Sequence, residues 1–339
     1  VTIDTLRADR VGAYGDDRAQ TPTLDALAAS GVLFREAHAV TPLTLPSHAT
    51  LLTGLLPREH GLRDNAGFRL SNDVHTLAEA LRIQGYQTGG FVSAYVLDGA
   101  WGLDQGFQVY RDPFHPQDVS RLGAFGEVEL PGVEVVNAAV GWWEATSGPR
   151  FGWVHLYDPH TPWIAHPGWD GDPYRGEVHY ADQVLSRLVE TVGSETLIIV
   201  TSDHGESLWE HGEREHGVLL GRSVTRVPLI IRPPIPLTGT APVQIIPGQE
   251  PPTERPEGVD EALDLSPVPD APVAARIIET PVSGLDIAPT IADYAGARLE
   301  STGRSLRPAM DAETLGDKPV YSETFFPLYH HGWAPILMS

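Results

Sequence analysis

Three apolar stretches of this 339-residue chain each end in residues that can bind a metal ion. The stretches span residues 1–4, 151–162 and 196–206, and short apolar runs of this kind are typical of strands buried in a parallel sheet. In such sheets, ligands bind beyond the carboxyl ends of the strands. We therefore predict that five polar side chains meet at one edge of a sheet: Asp4, Asp158, His160, Asp203 and His204.

Helical patterns alternate with these apolar runs. Residues 21–31 begin with a Thr-Pro pair and end in glycine, and residues 75–85 carry leucines at helical spacing before a second glycine. Residues 89–95 have the composition of a strand, and residues 178–192 that of a crossover helix. The alternation predicts an α/β fold in which helices cover both faces of a mostly parallel sheet.

The stretch from Thr44 to Gly54 predicts a loop that leads directly into a helix. Pro46 suits the first helical turn and Gly54 suits the position after the last turn. Thr44 then lies where unpaired N–H groups and the helix macrodipole favour an anion. Two interpretations are open at this point: Thr44 is a capping residue, or its hydroxyl is a nucleophile that attacks an anionic ester.

Charge and composition exclude several classes of protein. The net charge is -22 and Lys318 is the only lysine, so we predict no nucleic-acid partner. There is no cysteine, which excludes disulfides and thiolate metal sites. No apolar run reaches the length of a transmembrane segment. Because the chain begins inside an apparent strand, we expect further residues before Val1 in the natural protein.

Seven blocks of sequence carry a resemblance to a known family. They are DTLRADRVGAYG from Asp4, TPTLDALAASGVLF from Thr21, TLPSHATLLTGLLPREHGLRDN from Thr44, YDPHTP from Tyr157, TSDHGE from Thr201, RVPLII from Arg226 and SGLDIAPTIADYAG from Ser283. In this order they resemble the sulfatase family of the alkaline phosphatase superfamily. The resemblance implies an alkaline-phosphatase-like α/β fold: a central, mostly parallel mixed sheet sandwiched by helices, with a smaller C-terminal subdomain.

The resemblance also implies a metal site. Asp4, Asp203 and His204 match positions that hold a divalent cation in the family, and Thr44 matches the nucleophile, which is a further ligand. Two carboxylates, an imidazole and an alkoxide favour Mn²⁺ or Zn²⁺, whereas Ca²⁺ or Mg²⁺, which remain possible, prefer oxygen ligands alone.

Four further positions are implied to bind substrate. Asn65 and His160 match residues that contact the ester oxygens, and His216 stands where the family often has a lysine. His48 replaces the arginine of the family's Cys/Ser-x-Pro-Ser-Arg motif. His160 or His216 would protonate the leaving group or bind a second ion.

Two departures from the family pattern affect the expected substrate. Thr44 replaces the cysteine or serine that is oxidised to formylglycine, and Thr5 replaces the second aspartate of the metal pair. A threonine cannot release sulfate by collapse to an aldehyde, so we predict a hydrolase of sulfate or phosphate esters that prefers phosphoesters. The alternatives are a phosphoethanolamine-type transferase of the same superfamily and a catalytically weakened, sulfatase-like binding protein.

We expect three regions along the chain. Residues 1–232 and 273–300 form the catalytic domain, residues 233–272 form an extended or disordered insertion rich in proline and acidic residues, and residues 301–339 begin a C-terminal subdomain that is cut short. The tail from Val320 is predicted to be an edge-strand region of this C-terminal subdomain. The resemblance favours a periplasmic or extracellular protein acting on a small-molecule, glycan-linked or lipid-linked anionic ester, and it leaves the oligomeric state open.

Overall fold

The computed structural model describes residues 1–114, 129–164, 166, 169, 171–235, 276–311 and 314–339. The strands are β1 (Thr2–Ile3), β2 (Val32–His38), β3 (Gln87–Phe91), β4 (Val109–Arg111), β5 (Arg150–Leu156), β6 (Ile198–Thr201), β7 (Arg226–Arg232), β8 (Arg276–Ile278), β9 (Val282–Ser283), β10 (Ser322–Thr324) and β11 (Ile336–Met338). The helices are α1 (Pro22–Ala29), α2 (Thr44–Thr53), α3 (Pro57–His60), α4 (Leu77–Ile83), α5 (Gly132–Ala145), α6 (Pro173–Val192), α7 (Arg222–Thr225), α8 (Ile287–Ala295), α9 (Arg307–Met310) and α10 (Phe326–His331).

One large sheet organises the chain. Its strand order is β4-β3-β5-β1-β6-β7-β2-β8, and β9 also pairs with β2. β7 runs antiparallel to both of its neighbours, β6 and β2, while the other pairs in this sheet are parallel. The prediction of a mostly parallel mixed sheet is confirmed.

Alternating side chains of the central strands enter two separate cores. Leu33 and Ile230 pack in the core that contains α1, α5 and α6. Their chain neighbours Phe34 and Leu229 pack in the core on the opposite side, where α2 and α8 contribute Leu51 and other apolar residues. Because successive residues of a strand point to opposite faces, helices cover the sheet on both sides, as the sequence predicts.

Two element boundaries differ from the sequence-based expectation. The strand expected over 89–95 ends at Phe91, because residues 95–97 turn back in a 3-10 helix. The crossover helix begins at Pro173 rather than Val178, because Asp172 caps it by accepting a hydrogen bond from the N–H of Tyr174 at 3.1 Å.

The C-terminal residues form a small second sheet. β10 and β11 pair antiparallel with each other, and α10 lies between them in sequence. They therefore form a small two-stranded sheet of their own, separate from the large one. Within the described residues, no helix combines the length and the apolar character needed to cross a bilayer. Most of the predicted insertion falls outside the described residues, and the proposed domain division stays a prediction.

Replacing residues 236–275 with a linker of about six Gly and Ser residues is expected to leave the melting temperature within a few degrees of the parent value. Ile231, near the end of β7, and Arg276, at the start of β8, both pair with Val32, so the strands on either side of the connection lie only two strand spacings apart, roughly 10 Å. Three kept residues, 233–235, and the linker then have to span only a short distance. Differential scanning calorimetry measures the outcome. A fall of more than about 10 °C would show that the removed segment stabilises the fold.

Candidate functional site

The carboxyl ends of β1 and β6 bring three potential metal ligands together. β1 lies between β5 and β6, and Thr2 is paired with a residue of each. Asp4, Asp203 and His204 follow these strands, are fully buried, and offer ligand atoms that all lie within 4.8 Å of one another. Asp158, also predicted to lie at this edge, instead accepts a hydrogen bond from the N–H of Gly132 at the start of α5. Among the described residues, Asp158 is therefore not one of the clustered ligands.

Each aspartate of the cluster has one oxygen held by the protein and one without a hydrogen-bond partner. Oδ1 of Asp203 accepts hydrogen bonds from the backbone N–H groups of Thr5, at 3.3 Å, and His204, at 2.9 Å. Oδ2 of Asp4 lies 3.3 Å from Nε2 of His155. Oδ2 of Asp203 and Oδ1 of Asp4 have no partner. A buried, unpaired carboxylate oxygen is costly, so these two atoms indicate a ligand between them.

The ring of His204 is oriented as a metal ligand requires. Its Nδ1 lies 3.1 Å from the carbonyl oxygen of Gly205, which can only accept, so Nδ1 carries the hydrogen. The lone pair of Nε2 then faces Oδ2 of Asp203 at 3.3 Å and Oδ1 of Asp4 at 3.9 Å. Burial raises the pKa of Asp4 to about 7, and a cation would favour the ionised form. This donor set fits a divalent cation.

Thr44 places its hydroxyl beside this cluster. Leu43 is extended, α2 begins at Thr44, and the Thr44 side chain is buried. Its Oγ1 lies 3.5 Å from Oδ2 of Asp4 and 3.4 Å from Nε2 of His204. The first residue of a helix and the ends of two strands therefore meet at one point, as the sequence predicts for the location of Thr44.

The first turn of α2 offers fewer free N–H groups than the sequence suggests. The N–H of Leu45 donates to Oδ1 of Asn65 at 2.9 Å, and the N–H of Ser47 donates to the carbonyl of Leu43 at 3.0 Å. Pro46 has no N–H. The expectation that a row of unpaired N–H groups attracts an anion is therefore wrong, and Asn65 is placed as a helix-capping contact next to Thr44.

Of the predicted substrate-binding histidines, His216 lies against the cluster and His160 lies against His216. The ring of His216 is 4.3 Å from that of His204 and 5.2 Å from that of His160, measured between ring centres. His160 stacks on Tyr157 at 4.3 Å, and its Nδ1 lies 2.6 Å from the carbonyl oxygen of Thr161. Burial lowers the pKa of both His160 and His216, so both rings favour the neutral form.

Glu206 is a site residue that the sequence analysis missed. It is fully buried, and its Oε1 lies 3.1 Å from Nδ1 of His216. Burial raises the pKa of Glu206 to about 8. At neutral pH the pair therefore retains a proton between Oε1 and Nδ1, which leaves the ring hydrogen of His216 on Nε2. An acidic residue two positions after His204 was a usable signal.

His155 is a second missed residue. It is fully buried in β5, with Nε2 3.3 Å from Oδ2 of Asp4 and Nδ1 3.0 Å from the hydroxyl of Ser93. Burial lowers its pKa to about 4. A single histidine inside an apolar run, one residue before the strand ends, was the available signal.

His48 is buried against the backbone of Thr44 and does not reach an open surface. It is fully buried, its Nδ1 is 2.8 Å from the carbonyl oxygen of Thr44, and its Nε2 is 3.0 Å from Oγ1 of Thr2. Burial lowers its pKa to about 3. Both ring nitrogens are thus occupied by the protein, and the geometry gives no support to the predicted substrate contact.

Thr5, which follows Asp4, has a strained backbone. Its φ of 54° lies in the left-handed region, which a β-branched residue rarely adopts. The hydroxyl of Tyr174 donates to the carbonyl of Thr5 at 2.7 Å, and Oγ1 of Thr5 is buried without a hydrogen-bond partner. Such strain is retained where the surrounding structure requires it, and here it lets the N–H of Thr5 reach Asp203.

Comparison with known proteins places this geometry in context. The chain is 24% identical over 294 residues to a Delta 4,5-hexuronate-2-O-sulfatase of Bacteroides thetaiotaomicron, covering 69% of this chain and 61% of that protein. It is 39% identical over 121 residues to arylsulfatase A of Bos taurus, covering 34% of this chain and 22% of that protein. The phosphonate monoester hydrolase of Agrobacterium radiobacter shares the fold with a TM-score of 0.68 at 21% identity, covering 95% of this chain and 79% of that one.

The extent of the match identifies the family. The chain spans only about three fifths of the length of the first of these relatives. The family described as Sulfatase nevertheless matches residues 1–297, which is most of the chain and includes every ligand of the cluster. The chain therefore belongs to the sulfatase family.

Proposed function

We propose that this protein is a metal-dependent hydrolase of sulfate or phosphate esters that uses Thr44 as its nucleophile and prefers phosphoesters. The observation that carries the proposal is the position of the Thr44 hydroxyl, 3.5 Å from Asp4 and 3.4 Å from His204. A hydroxyl beside a buried carboxylate and an imidazole can be deprotonated and held for attack.

Asp4, Asp203 and His204 would hold the cation, with Thr44 as a further ligand. Two carboxylates and one imidazole favour Mn²⁺ or Zn²⁺ over Ca²⁺ or Mg²⁺. When bound, such an ion lowers the pKa of a neighbouring hydroxyl and offsets negative charge on the ester oxygens. The proton transfers of the reaction are assigned to side chains of the protein.

Attack begins with the proton of Thr44. Its hydroxyl points to Oδ2 of Asp4, which accepts the proton while Oγ1 forms a bond to phosphorus or sulfur. The bond from that atom to the alcohol oxygen breaks, and the alcohol leaves. His155 donates to the same carboxylate oxygen of Asp4 and keeps it facing Thr44.

His216 is proposed to protonate the departing alcohol. Its Nε2–H supplies the proton, and the proton held between Glu206 and Nδ1 then moves fully to the ring. His160 and Asn65 are proposed to contact the other ester oxygens, because His160 packs against His216 and Asn65 bonds to the residue after Thr44.

The second half of the reaction favours phosphate. Water must attack the central atom of the threonine ester, because Thr44 has no aldehyde form through which the anion could be expelled. Phospho-threonine is the more plausible substrate for this hydrolysis. The fold of a phosphonate monoester hydrolase supports the same preference only by analogy, since the identity is 21%.

The proposed substrate is an anionic ester on a small molecule, a glycan or a lipid. The relative from Bacteroides thetaiotaomicron is named for a sulfated hexuronate.

Paired aryl sulfate, phosphate monoester and phosphodiester substrates, assayed with Mn²⁺ or Zn²⁺, test the assignment. Turnover of the sulfate alone would contradict it. Faster turnover with an added acceptor alcohol, and phosphoryl transfer to that alcohol, would identify the phosphoethanolamine-type transferase instead.

Replacing His216 with glutamine is expected to lower kcat by a factor of about 100 on an alkyl phosphate. The reason is that an alkoxide needs a proton to leave. On 4-nitrophenyl phosphate, whose leaving group is stable without a proton, the loss should be less than about tenfold. Steady-state kinetics with both substrates measures the difference, and equal losses would assign His216 to ester binding rather than to proton donation.

A further inference from the structure

Three buried side chains form a hydrogen-bonded chain behind the nucleophile. Nε1 of Trp153 lies 3.1 Å from Oγ1 of Thr2, and the same oxygen lies 3.0 Å from Nε2 of His48. Nδ1 of His48 lies 2.8 Å from the carbonyl oxygen of Thr44. This series of hydrogen bonds therefore runs from β5 through β1 to the first turn of α2.

The direction of each hydrogen bond in this series follows from the groups at its two ends, the indole of Trp153 and the carbonyl of Thr44. The indole of Trp153 can only donate, so Oγ1 of Thr2 accepts from it and gives its own hydrogen to Nε2 of His48. The carbonyl of Thr44 can only accept, so Nδ1 of His48 carries the ring hydrogen. His48 is thus held as the Nδ1–H form with no nitrogen left for a substrate.

The same ring also faces a metal ligand. Nδ1 of His48 lies 3.6 Å from Oδ2 of Asp203, and the hydroxyl of Ser47 donates to the carbonyl of Asp203 at 2.7 Å. The first turn of α2 is therefore fixed both to the sheet and to the loop after β6. A shift of this turn would move Oγ1 of Thr44 relative to Asp4 and His204.

We infer that His48 is a positioning residue: with Thr2 and Trp153 it holds the backbone of Thr44, so that the hydroxyl stays beside the metal-binding cluster. This inference rests on the proposed function, because it assigns His48 to nucleophile placement rather than to ester contact. A neutral ring with one donor and one acceptor suits that task, whereas the arginine it replaces in the family pattern is always charged and can only donate.

The test changes Thr2, which lies behind the site and does not touch the cluster. Thr2→Val removes the hydroxyl at nearly constant volume, and Thr2→Ser restores it. The matched control is Thr53→Val, at the other end of α2, where the buried hydroxyl donates to the carbonyl of Ala49. All variants are made in the full chain, and thermal unfolding is recorded for each.

Thr2→Val is expected to lower kcat for a phosphate monoester by between about ten- and a hundredfold with KM nearly unchanged, because a small misplacement of a nucleophile costs this much. Thr2→Ser should recover most of the loss, and Thr53→Val should show none. In ¹⁵N NMR of the imidazole rings, the Nε2 signal of His48 should shift in Thr2→Val and return in Thr2→Ser.

Two results would overturn the inference. A rise in KM with kcat unchanged would place His48 in contact with the ester, and unchanged kinetics in Thr2→Val would show that the chain of hydrogen bonds does not affect Thr44. The NMR measurement needs no turnover. If no ester is hydrolysed by the parent protein, the proposed function fails, while the His48 signals still establish whether the hydrogen-bonded chain exists.

Discussion

Thr44→Ala is expected to abolish turnover, with a loss of at least about a thousandfold, while leaving the melting temperature nearly unchanged. The side chain contributes its hydroxyl to the site and contacts Asp4 and His204 through it. Thr44→Ser should retain partial activity, because a hydroxyl remains but loses the methyl group that restricts its rotamer. Steady-state kinetics against a phosphate monoester measures both effects.

A covalent intermediate provides an independent check on the nucleophile. Rapid acid quench followed by peptide mass spectrometry should find an adduct of phosphate mass on the peptide that contains Thr44. Thr44→Ala should lose that adduct. Near-full activity of Thr44→Ala would instead mean that water attacks the ester directly and that Thr44 only orders the first turn of α2.

The double variant Asp203→Ala, His204→Ala is expected to lose divalent-ion binding completely. It removes two of the three clustered ligands, and Asp4 alone offers too few donors to retain the ion. Elemental analysis after dialysis against Mn²⁺ or Zn²⁺ measures the stoichiometry, which should fall from about one ion per chain to none.

Asp158→Asn is the matched control for that measurement. Asp158 lies at the end of a neighbouring strand, but its carboxylate bonds to the N–H of Gly132 at the start of α5. The control should retain the ion. Equal stoichiometry in the double variant and in the parent protein would place the ion elsewhere in the molecule.

The proposed metal-binding residues could be located from the sequence because each of them closely follows a strand. Asp4, Asp203 and His204 follow apolar runs, and a parallel sheet brings the carboxyl ends of its strands to one edge. Thr44 was placed by helix start and stop signals, which depend on local sequence. These features could be predicted because each depends on a few consecutive residues.

The missed features depend on contacts between distant segments. His155 looks like a core residue of β5 until its ring is seen against Asp4, which is 151 positions away in sequence. The N–H of Leu45 looks free until Asn65 is folded onto it. The role of His48 also required the register that sets Thr2 beside it. No local pattern carries this information.

The clustered side chains come from two distant parts of the sequence, which has a consequence for any divalent ion that binds them. Asp4, which follows β1, and His204, which follows β6, are far apart in sequence and lie together because these two strands are paired. The unfolded chain therefore has no such site, and binding stabilises the native state alone. Free ion at a hundred times its dissociation constant would add about 2.7 kcal/mol to the free energy of unfolding. Chelation should lower the melting temperature as well as remove activity, so ion supply would set both the lifetime and the catalytic rate of this protein.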